Sequence, residues 1–374
     1  MNTYRILHGD ALTMLRTLPA DSVHCVVTSP PYWGLRDYGH DEQIGLEETP
    51  DAYVARLVDV FREVRRVLRE DGTCWLNLGD SYARTTPNHG LGGGIQRNGL
   101  TPESTAKTRM AQGLKDKDLV GIPWRVGFAL QADGWWLRQD IIWHKTAPMP
   151  ESVTDRCTKA HEYVFLLTKS ARYFYDAQAI AEPSTGEPQW RDKMGEGYQA
   201  DYPNGKRFSD GGRVWGTATR NKRSVWTLVP EPYAEAHFAT MPPTLAELCI
   251  RAGSSAHGCC SYCGAPWERV VERQANGKQY GNANGKEGAL RNDTAAWAGR
   301  VGETQTETIG WQPTCTHEAE RIPCTVLDPF AGSGTTLAVA LANGRNSIGI
   351  ELNAEYIRLA EKRITGTQPA LFGV

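Results

Sequence analysis

The chain has 374 residues, of which 40% are hydrophobic and 22% are charged, so it can bury a large core in one or two domains. Its formal net charge of −2 excludes a protein that binds nucleic acid through a uniformly basic surface. Residues 1–10 lack a signal-peptide pattern and no apolar run reaches the length of a membrane span, so we expect a cytoplasmic protein with no membrane partner.

Predicted strands and helices alternate along the chain. The strands are YRILHGD, SVHCVVTSPPY, GTCWLNLGDSY, WWLRQDIIWHK, EYVFLLTKSARYFY, CTVLDPFAGSG and NSIGIEL, with the fourth and fifth as a candidate antiparallel pair. One helix is predicted from the Thr49-Pro50 cap to just before Gly72, another from Thr335 to Asn343, and a last one from about Ala354. This alternation predicts an α/β fold whose mostly parallel sheet is covered on both faces.

Three segments interrupt the alternation. Residues 84–118 are rich in Gly, Asn and Thr, residues 177–222 are polar, aromatic and basic, and residues 259–323 contain a group of cysteines. Long loops in compact domains are functional or disordered, so we interpret all three segments as insertions on one core.

The motif TSPPY directly follows the apolar run VHCVV. Proline cannot donate to a sheet ladder, so the strand must end here, and each proline holds the preceding residue extended. The motif therefore brings Ser29, the free carbonyls of Pro30 and Pro31, and the ring of Tyr32 to the carboxyl end of a strand. Ligands bind at that end in open α/β sheets.

A glycine-rich loop follows a later strand in the sequence VLDPFAGSGTT. Gly332 and Gly334 permit a tight turn and close approach of the backbone to a ligand, beside a helix that begins near Thr335. The next strand ends in Glu351, an acid suited to the two hydroxyls of a ribose. The loop lacks the lysine of a phosphate-binding loop and the spacing of a dinucleotide site. We therefore expect a nucleoside ligand without a pyrophosphate.

Together, these motifs resemble the S-adenosylmethionine-dependent amino-methyltransferases of DNA. The similarity includes HGDAL, TSPPYWGLRDYG, WLNLGDSY, PMPESVTDRCTKAHEYVFLLTKSARYFYD, HFATMPPTLAELCIRAGS and LDPFAGSGTT with GIEL. The order of the motifs, catalytic first and glycine loop last, is that of the circularly permuted β class. The resemblance implies a Rossmann-like class I methyltransferase sheet, circularly permuted, with an inserted recognition region and a small zinc-knuckle element.

The resemblance also implies a division of the chain and a set of cofactor residues. The implied parts are residues 1–176 as the catalytic half with the insertion 84–118, residues 177–222 as the candidate target-recognition region, residues 223–258 with 324–374 as the cofactor-binding half, and residues 259–323 as the cysteine-rich insertion. The S-adenosylmethionine pocket would be formed by Asp10 at the adenine amine, Glu351 at the ribose, Asp328, Phe330, Gly332 and Gly334 at the methionine side, the helix start at Thr335, and Phe238 and Thr240 as the closing segment.

The TSPPY motif suits methylation of an exocyclic amine. Such an amine is a poor nucleophile because its lone pair is delocalised into the base. The Ser29 hydroxyl oxygen and the Pro30 carbonyl can accept its hydrogens and aim the lone pair, while Pro31 stiffens the loop and the Tyr32 ring stacks on a base turned out of double-stranded DNA. Serine at position 29 matches the N4-cytosine members of the family. The alternative target is adenine N6.

Other functions fit the sequence less well. C5 methylation of cytosine needs a cysteine nucleophile, and the pair Pro323-Cys324 lies at the wrong end of its strand. RNA and protein-glutamine methyltransferases more often carry Asn at the serine position. A non-catalytic DNA-binding zinc protein and a fused restriction nuclease are further alternatives, and a cognate restriction endonuclease is a candidate partner.

The cysteine-rich insertion contains a candidate structural zinc site. CSYCG supplies Cys260 and Cys263, and CTH supplies Cys315 and His317 after a loop of about fifty residues. Three thiolates and one imidazole give a closed tetrahedral site, with Cys259 and Cys324 as spare ligands. The alternative is a reduced cluster of cysteines without metal.

A basic stretch between Lys206 and Arg223 is a candidate DNA contact. Its candidate phosphate-binding residues are Arg207, Arg213, Arg220 and Arg223. The alternative interpretation is a solvated loop.

Overall fold

The computed structural model describes residues 2–34, 43–83, 113–184, 215–217, 219–229, 241–278 and 301–367. The chain forms two compact units. The core unit comprises Met1–Ala179, Arg223–Glu268 and Pro313–Val374, and the second unit comprises Ile180–Lys222 and Arg269–Gln312.

Strands and helices are numbered in chain order over the described residues. The strands are β1 (Tyr4–His8), β2 (Val23–Thr28), β3 (Leu68–Leu78), β4 (Trp136–Lys145), β5 (His161–Thr168), β6 (Glu182–Pro183), β7 (Trp215–Thr217), β8 (Thr219–Arg220), β9 (Val225–Leu228), β10 (Cys259–Cys260), β11 (Trp267–Lys278), β12 (Val301–Pro313), β13 (Arg321–Ile322), β14 (Thr325–Asp328) and β15 (Asn346–Glu351). The helices are α1 (Ala11–Arg16), α2 (Pro50–Val67), α3 (Ile122–Ala132), α4 (Pro243–Gly253), α5 (Thr335–Ala342) and α6 (Ala354–Thr367).

Eight of these strands form the sheet of the core unit, in the order β1-β15-β14-β2-β3-β5-β4-β9. The first five are parallel, β5 runs antiparallel to both β3 and β4, and β9 is parallel to β4. The predicted antiparallel pair is therefore confirmed. Two late strands, β14 and β15, lie between the two earliest ones, which brings the glycine loop next to TSPPY.

Helices cover both faces of this sheet, since every side chain of β2 is buried. Helix α2 packs on α1 and α3, and α5 packs on α4 and α6. The predicted start of α2 is confirmed, because the Thr49 hydroxyl accepts a hydrogen bond from Ala52 N (3.1 Å) and Pro50 is the first helical residue.

The predicted end of α2 is wrong. The helix ends at Val67, and Leu68 is already extended, so Gly72 lies inside β3. The pairing of β2 with β3 shifts register between Val23 and Cys25. A Cβ on Gly72 would lie 2.6 Å from Leu68 Cδ1, so this glycine permits close packing at the irregularity rather than ending the helix.

The remaining strands form small sheets. In the core unit β10 pairs antiparallel with β13. The order β11-β12-β7 and the pair β6-β8 make up the other two sheets of the described residues. No helix in the part of the chain that the structure describes is long and apolar enough to cross a bilayer.

Candidate active site

The carboxyl ends of the parallel strands meet at one edge of the sheet. Ser29 follows β2, and Asp328 and Glu351 are the last residues of β14 and β15. Asp10 follows β1 after Gly9, whose N–H donates to Glu351 O (3.0 Å). The strand-end side chains predicted from the two motifs therefore lie along the same edge.

The TSPPY loop is held in place by hydrogen bonds from the following segment. The Tyr53 hydroxyl on α2 donates to Pro31 O (2.8 Å), and the indole N–H of buried Trp33 donates to Glu47 O (2.9 Å). The expectation that both proline carbonyls are free is wrong for Pro31, because Tyr53 reaches its carbonyl from the helix. Pro30 thus provides the candidate carbonyl acceptor.

A polar network lies directly behind Ser29. The Tyr32 hydroxyl donates to Glu162 Oε2 (2.6 Å), and Asn77 Nδ2 donates to Tyr32 Oη (2.7 Å) and Glu162 Oε2 (2.9 Å). Ser29 Oγ donates to Tyr32 Oη (3.3 Å), and Lys145 Nζ pairs with Glu162 Oε1 (2.5 Å). Residues from one loop and three strands thus meet around one carboxylate.

The protonation of this network is fixed by its surroundings. Burial raises the pKa of Tyr32 well above its ordinary value, and the Glu162 charge raises it further, so the hydroxyl stays protonated. Burial also opposes ionisation of Glu162, but the Lys145 ammonium and the hydrogen bonds from Lys145, Tyr32 and Asn77 outweigh it and lower the pKa of that carboxyl. Glu162 is therefore an ionised, buried acceptor.

The Tyr32 ring packs against the backbone after β3. A Cβ on Gly79 would lie 2.5 Å from Tyr32 Cε2 and 3.0 Å from Cδ2. Only glycine allows this approach of backbone to ring. The next residue, Asp80, caps α3 by accepting from Gly121 N and Ile122 N (both 3.0 Å), which gives it a structural role.

Asp328 is buried at the start of the glycine loop. Its Oδ1 accepts from the Thr28 hydroxyl (2.7 Å) and from Phe330 N (3.0 Å). Burial raises the pKa of Asp328 to about 6, against the lowering effect of these bonds and one from Thr336. The carboxylate is thus anchored to the end of β2, which couples the glycine loop to TSPPY.

The Glu351 carboxylate holds the loop from the neighbouring strand. It accepts from Gly332 N and from Asn353 N (both 2.8 Å). Asp10 caps α1 by accepting from Thr13 N (3.0 Å), and its second oxygen is not used in that cap. The second oxygen of Asp10 therefore keeps acceptor capacity beyond this cap.

The other predicted cofactor residues shape the loop and the helix after it. Gly332 and Gly334 have φ of +51° and +76°, and a Cβ on Gly334 would lie 2.7 Å from Ala360 Cβ. Thr335 is buried as the first residue of α5, and half-buried Phe330 packs on the core. The predicted residues Phe238 and Thr240 lie outside the described residues.

The four predicted zinc ligands lie together in the core unit. The ligand atoms of Cys260, Cys263, Cys315 and His317 are all within 4.8 Å of one another. The predicted spare ligands are in a separate buried group, in which Cys259 and Cys324 lie near His24. Their separation from the first group makes the expectation that either could replace one of the four ligands wrong.

His24 joins the cysteine knuckle to the sheet. Its Nδ1 accepts from Thr325 N (3.1 Å), so Nε2 carries the proton and donates to Gly264 O (2.9 Å). Arg69 donates to the neighbouring carbonyl of Cys263 (2.7 Å). Since His24, Arg69 and Thr325 lie at the starts of β2, β3 and β14, the knuckle sits at the end of the sheet opposite Ser29.

The predicted DNA-binding arginines are only partly described. Arg207 and Arg213 lie outside the described residues. Arg220 pairs with Glu182 Oε1 (2.9 Å), and Arg223 O accepts from Trp226 Nε1 (2.8 Å). The assignment of this stretch to DNA stays a prediction.

Sequence reasoning missed four residues of the site. Asn77 and Gly79 lie in WLNLGDSY, Lys145 ends β4, and Tyr53 faces the loop from α2. Their place in the sheet is the signal that could have identified them. Polar residues at the end of β3 and at the start of β5 must reach the same sheet edge as Ser29.

Comparisons with known proteins relate this chain to one protein family. A family model described as "DNA methylase", covering N6 and N4 methyltransferases, matches residues 23–260 and 324–362. The Type II methyltransferase M.XycI of Xanthomonas campestris pv. cyanopsidis is 40% identical over 96% of this chain and 87% of its own. M.SmaI of Serratia marcescens, also a Type II methyltransferase, is 37% identical over 97% of this chain and 91% of its own.

Solved structures share the fold. The PvuII DNA methyltransferase (cytosine-N4-specific) superposes with a TM-score of 0.53 at 15% identity, covering 100% of this chain and 89% of that one. A putative DNA modification methylase of Thermus thermophilus, complexed with S-adenosyl-L-methionine, superposes with a TM-score of 0.50 at 21% identity, covering 99% and 96%. Because the family model spans more than half of the chain and the Type II relatives align with nearly all of it, the chain belongs to the DNA methylase family of N4/N6 amino-methyltransferases.

Proposed function

We propose that this DNA methyltransferase uses S-adenosylmethionine to methylate the N4 amine of a cytosine turned out of the duplex. The observation that carries the proposal is the position of Ser29. Its hydroxyl lies at the carboxyl end of β2, one strand away from the glycine loop and in contact with Tyr32. An acceptor for the amine and a loop for the methyl donor are thus side by side.

The glycine-loop edge fits S-adenosylmethionine by its charge. Asp10, Asp328 and Glu351 end or follow three adjacent strands, β1, β14 and β15. Three carboxylates would repel a phosphate, but they suit a ligand with an ammonium group, a sulfonium, ribose hydroxyls and an adenine amine. When bound, S-adenosylmethionine supplies an electrophilic methyl group on sulfur.

The loop glycines fit the same ligand. No atom of the described residues lies within 4 Å of a Cβ built on Gly332, so the backbone there borders open space. We assign the ammonium group to Asp328, the ribose to Glu351 and the adenine amine to Asp10. Phe330, Gly334 and Thr335 shape the loop, and Phe238 and Thr240 are proposed as its closing segment.

The TSPPY residues hold and orient the amine. Ser29 Oγ and Pro30 O would accept its two hydrogens, which turns the nitrogen lone pair toward the methyl carbon. Pro31, fixed by the Tyr53 hydroxyl, keeps the loop rigid, and Tyr32 provides an aromatic surface for the base. No acid–base residue has to act before the methyl group moves, because at that stage the acceptors need only hold and aim the amine.

Serine at position 29 supports cytosine as the target base. In the family that the motifs resemble, serine at this position is typical of N4-cytosine members, whereas adenine N6 members usually carry an acid or an amide. Adenine N6 is the second candidate. The Type II relatives also support a partner restriction endonuclease, and the order of β14 and β15 in the sheet supports a circularly permuted arrangement of the catalytic and cofactor halves.

We also propose a structural zinc ion at Cys260, Cys263, Cys315 and His317. Tetrahedral zinc with Zn–S bonds of about 2.3 Å places its ligand atoms about 3–4 Å apart, which fits a group confined to 4.8 Å. Gly264 has φ of +70° directly after the second cysteine, as a tight knuckle requires. The donor set leaves no open coordination position, so the ion would stabilise the insertion and take no part in methyl transfer.

Contact with DNA is proposed for the basic stretch that contains Arg207, Arg213, Arg220 and Arg223. Because phosphate contacts release counterions, changing Arg213 to Glu should weaken DNA binding and reduce its salt dependence. If the dependence of DNA affinity on salt concentration were unchanged, this stretch would be a solvated loop that does not contact DNA.

The function is tested by transfer of label from methyl-labelled S-adenosylmethionine to duplex DNA. Wild type should label the DNA, and Ser29→Ala and Tyr32→Ala should lose transfer by about 10²-fold or more while keeping cofactor affinity. Full transfer by a folded Ser29→Ala variant would overturn the assigned role. Absence of transfer by wild type on DNA from several sources would overturn the proposed activity.

A further inference from the structure

The direction of the hydrogen bonds around Tyr32 can be worked out by counting hydrogens. A tyrosine hydroxyl has one hydrogen and two lone pairs. Its neighbours are Glu162 Oε2 at 2.6 Å, Asn77 Nδ2 at 2.7 Å and Ser29 Oγ at 3.3 Å. An ionised carboxylate can only accept and an amide N–H can only donate, so the hydrogen of Tyr32 points to Glu162.

Only one of the two flipped orientations of the Asn77 amide is compatible with this cluster. Its two N–H groups face Tyr32 Oη and Glu162 Oε2, whereas the contact to Ser29 Oγ is longer, at 3.4 Å. The reverse orientation would point the amide oxygen at the Glu162 carboxylate. Both hydrogens of Asn77 are therefore used, and Ser29 receives little from them.

Within this network of described residues, the acceptor left for the hydrogen of Ser29 is the second lone pair of Tyr32. With its hydrogen directed there, Ser29 Oγ keeps its own lone pairs for another donor. An amine held at the end of β2 supplies such a donor. The same hydroxyl, reversed, would present its hydrogen to the amine and could not hold it in the proposed orientation.

We propose that Glu162 is a positioning residue, which acts through Tyr32 to keep the Ser29 hydroxyl an acceptor for the target amine. This inference rests on the proposed role of Ser29 in the methyl transfer. Lys145 completes the arrangement, because its ammonium lies 2.5 Å from the other carboxylate oxygen of Glu162 and keeps that carboxylate ionised.

The same chain of hydroxyls provides an exit for the proton. After methylation the amine nitrogen carries a positive charge and must lose one hydrogen. Its N–H bond breaks as Ser29 Oγ takes that proton, the former proton of Ser29 passes to Tyr32 Oη, and the former proton of Tyr32 passes to Glu162 Oε2. The base becomes neutral, both hydroxyls are restored, and Glu162 becomes a carboxylic acid that returns its proton to water.

The test is a double-mutant cycle of Glu162→Gln and Tyr32→Phe, measured as kcat and KM for methyl transfer. In Glu162→Gln the new amide can donate to Tyr32 Oη, which turns the tyrosine hydrogen onto Ser29. We expect kcat to fall about 10²-fold with KM for DNA and cofactor affinity little changed. Since Glu162 acts through Tyr32, Glu162→Gln should cost little more in a Tyr32→Phe background.

Two further measurements separate orientation from packing. The solvent isotope effect on single-turnover transfer should change in both single variants, which a purely structural loss would not produce. Glu162→Asp, which keeps a carboxylate, should retain more activity than Glu162→Gln. The Tyr32→Phe arm keeps the inference falsifiable if Glu162→Gln fails to fold.

The outcomes distinguish this inference from the proposed function. If Ser29→Ala is fully active, the proposed role of Ser29 fails and the inference fails with it. If Ser29→Ala is inactive while Glu162→Gln behaves as wild type, only the positioning role is overturned. Additive losses in the double variant also overturn it, because they require Glu162 to act without Tyr32.

Discussion

The hydroxyl of Tyr32 donates a 2.6 Å hydrogen bond to Oε2 of Glu162, although the two residues are 130 positions apart in the sequence. The contact exists because β5 runs antiparallel to β3, so the start of β5 and the end of β2 reach the same sheet edge. The TSPPY loop is therefore hydrogen-bonded to the carboxylate of a strand that lies far away in the sequence.

Gly79→Ala should impair catalysis without unfolding the protein. Its new Cβ would lie 2.5 Å from Tyr32 Cε2, so the ring must leave the position in which its hydroxyl contacts Ser29. We expect kcat to fall about 10-fold to 10²-fold, with cofactor affinity unchanged. Steady-state kinetics and cofactor titration check this. Gly127→Ala is the matched control, because its Cβ would meet nothing closer than Phe165 Cζ at 3.5 Å among the described residues, and wild-type kinetics are expected.

The two loop glycines should respond differently to alanine. Gly334→Ala combines a φ of +76° with a Cβ 2.7 Å from Ala360 Cβ, so it should lower the free energy of unfolding by about 2–4 kcal/mol. The methyl group of Gly332→Ala would meet open space among the described residues. This variant should therefore lower the free energy of unfolding by only about 1–2 kcal/mol, through backbone strain. Its main effect should be weaker S-adenosylmethionine binding. Thermal unfolding and calorimetric titration of both variants check this, and equal effects of the two on both quantities would contradict it.

Asp328 should make stability depend on pH in a defined window. Burial raises its pKa from 3.8 to about 6, so the folded protein holds this proton more tightly than the unfolded chain. The contribution to stability is therefore greatest below pH 4 and is lost as pH rises through 6. Between pH 5 and 7 wild type should lose about 1 kcal/mol relative to Asp328→Asn, which cannot titrate. Urea unfolding of both proteins at the two pH values measures the difference, and parallel pH profiles would refute it.

Removal of the proposed zinc ion should lower the stability of the knuckle but leave methyl transfer at the opposite end of the sheet unchanged. Purified protein should contain about one zinc per chain, and Cys260→Ser with Cys263→Ser should lose it and lower the melting temperature. Elemental analysis and thermal unfolding with and without a chelator check this. Exposed Cys157 lies outside both cysteine groups, so Cys157→Ser is the control and should keep the metal. Metal-free wild type with an unchanged melting temperature would contradict the site.

The local features of this fold could be predicted because they depend on neighbouring residues. Proline ends β2 after Thr28, the Thr49 cap starts α2, and alternation of strands and helices gives the parallel sheet. Cys260 and Cys263 have the C-x-x-C spacing of a zinc knuckle, whereas their proximity to Cys315 and His317 joins two separate segments and was predicted from the need for two further ligands.

Contacts across the sheet could not be predicted in the same way. The register that brings Glu162 to Tyr32, the Tyr53 hydroxyl on Pro31 O and the His24 bond to Gly264 each join segments that no local pattern connects. The end of α2 was misplaced because Gly72 signals a helix end locally, whereas close packing on Leu68 is what requires it.

The identity of the methylated base tests most directly whether this protein is a cytosine N4 methyltransferase that uses Ser29. Duplex DNA treated with wild type and S-adenosylmethionine should be digested to nucleosides and analysed by mass spectrometry, with Ser29→Ala as the control. We expect N4-methylcytosine in the wild-type sample and about 10²-fold less in the control. N6-methyladenine as the only product would contradict the assignment of cytosine, and equal N4-methylcytosine in both samples would contradict the role of Ser29 in holding the amine.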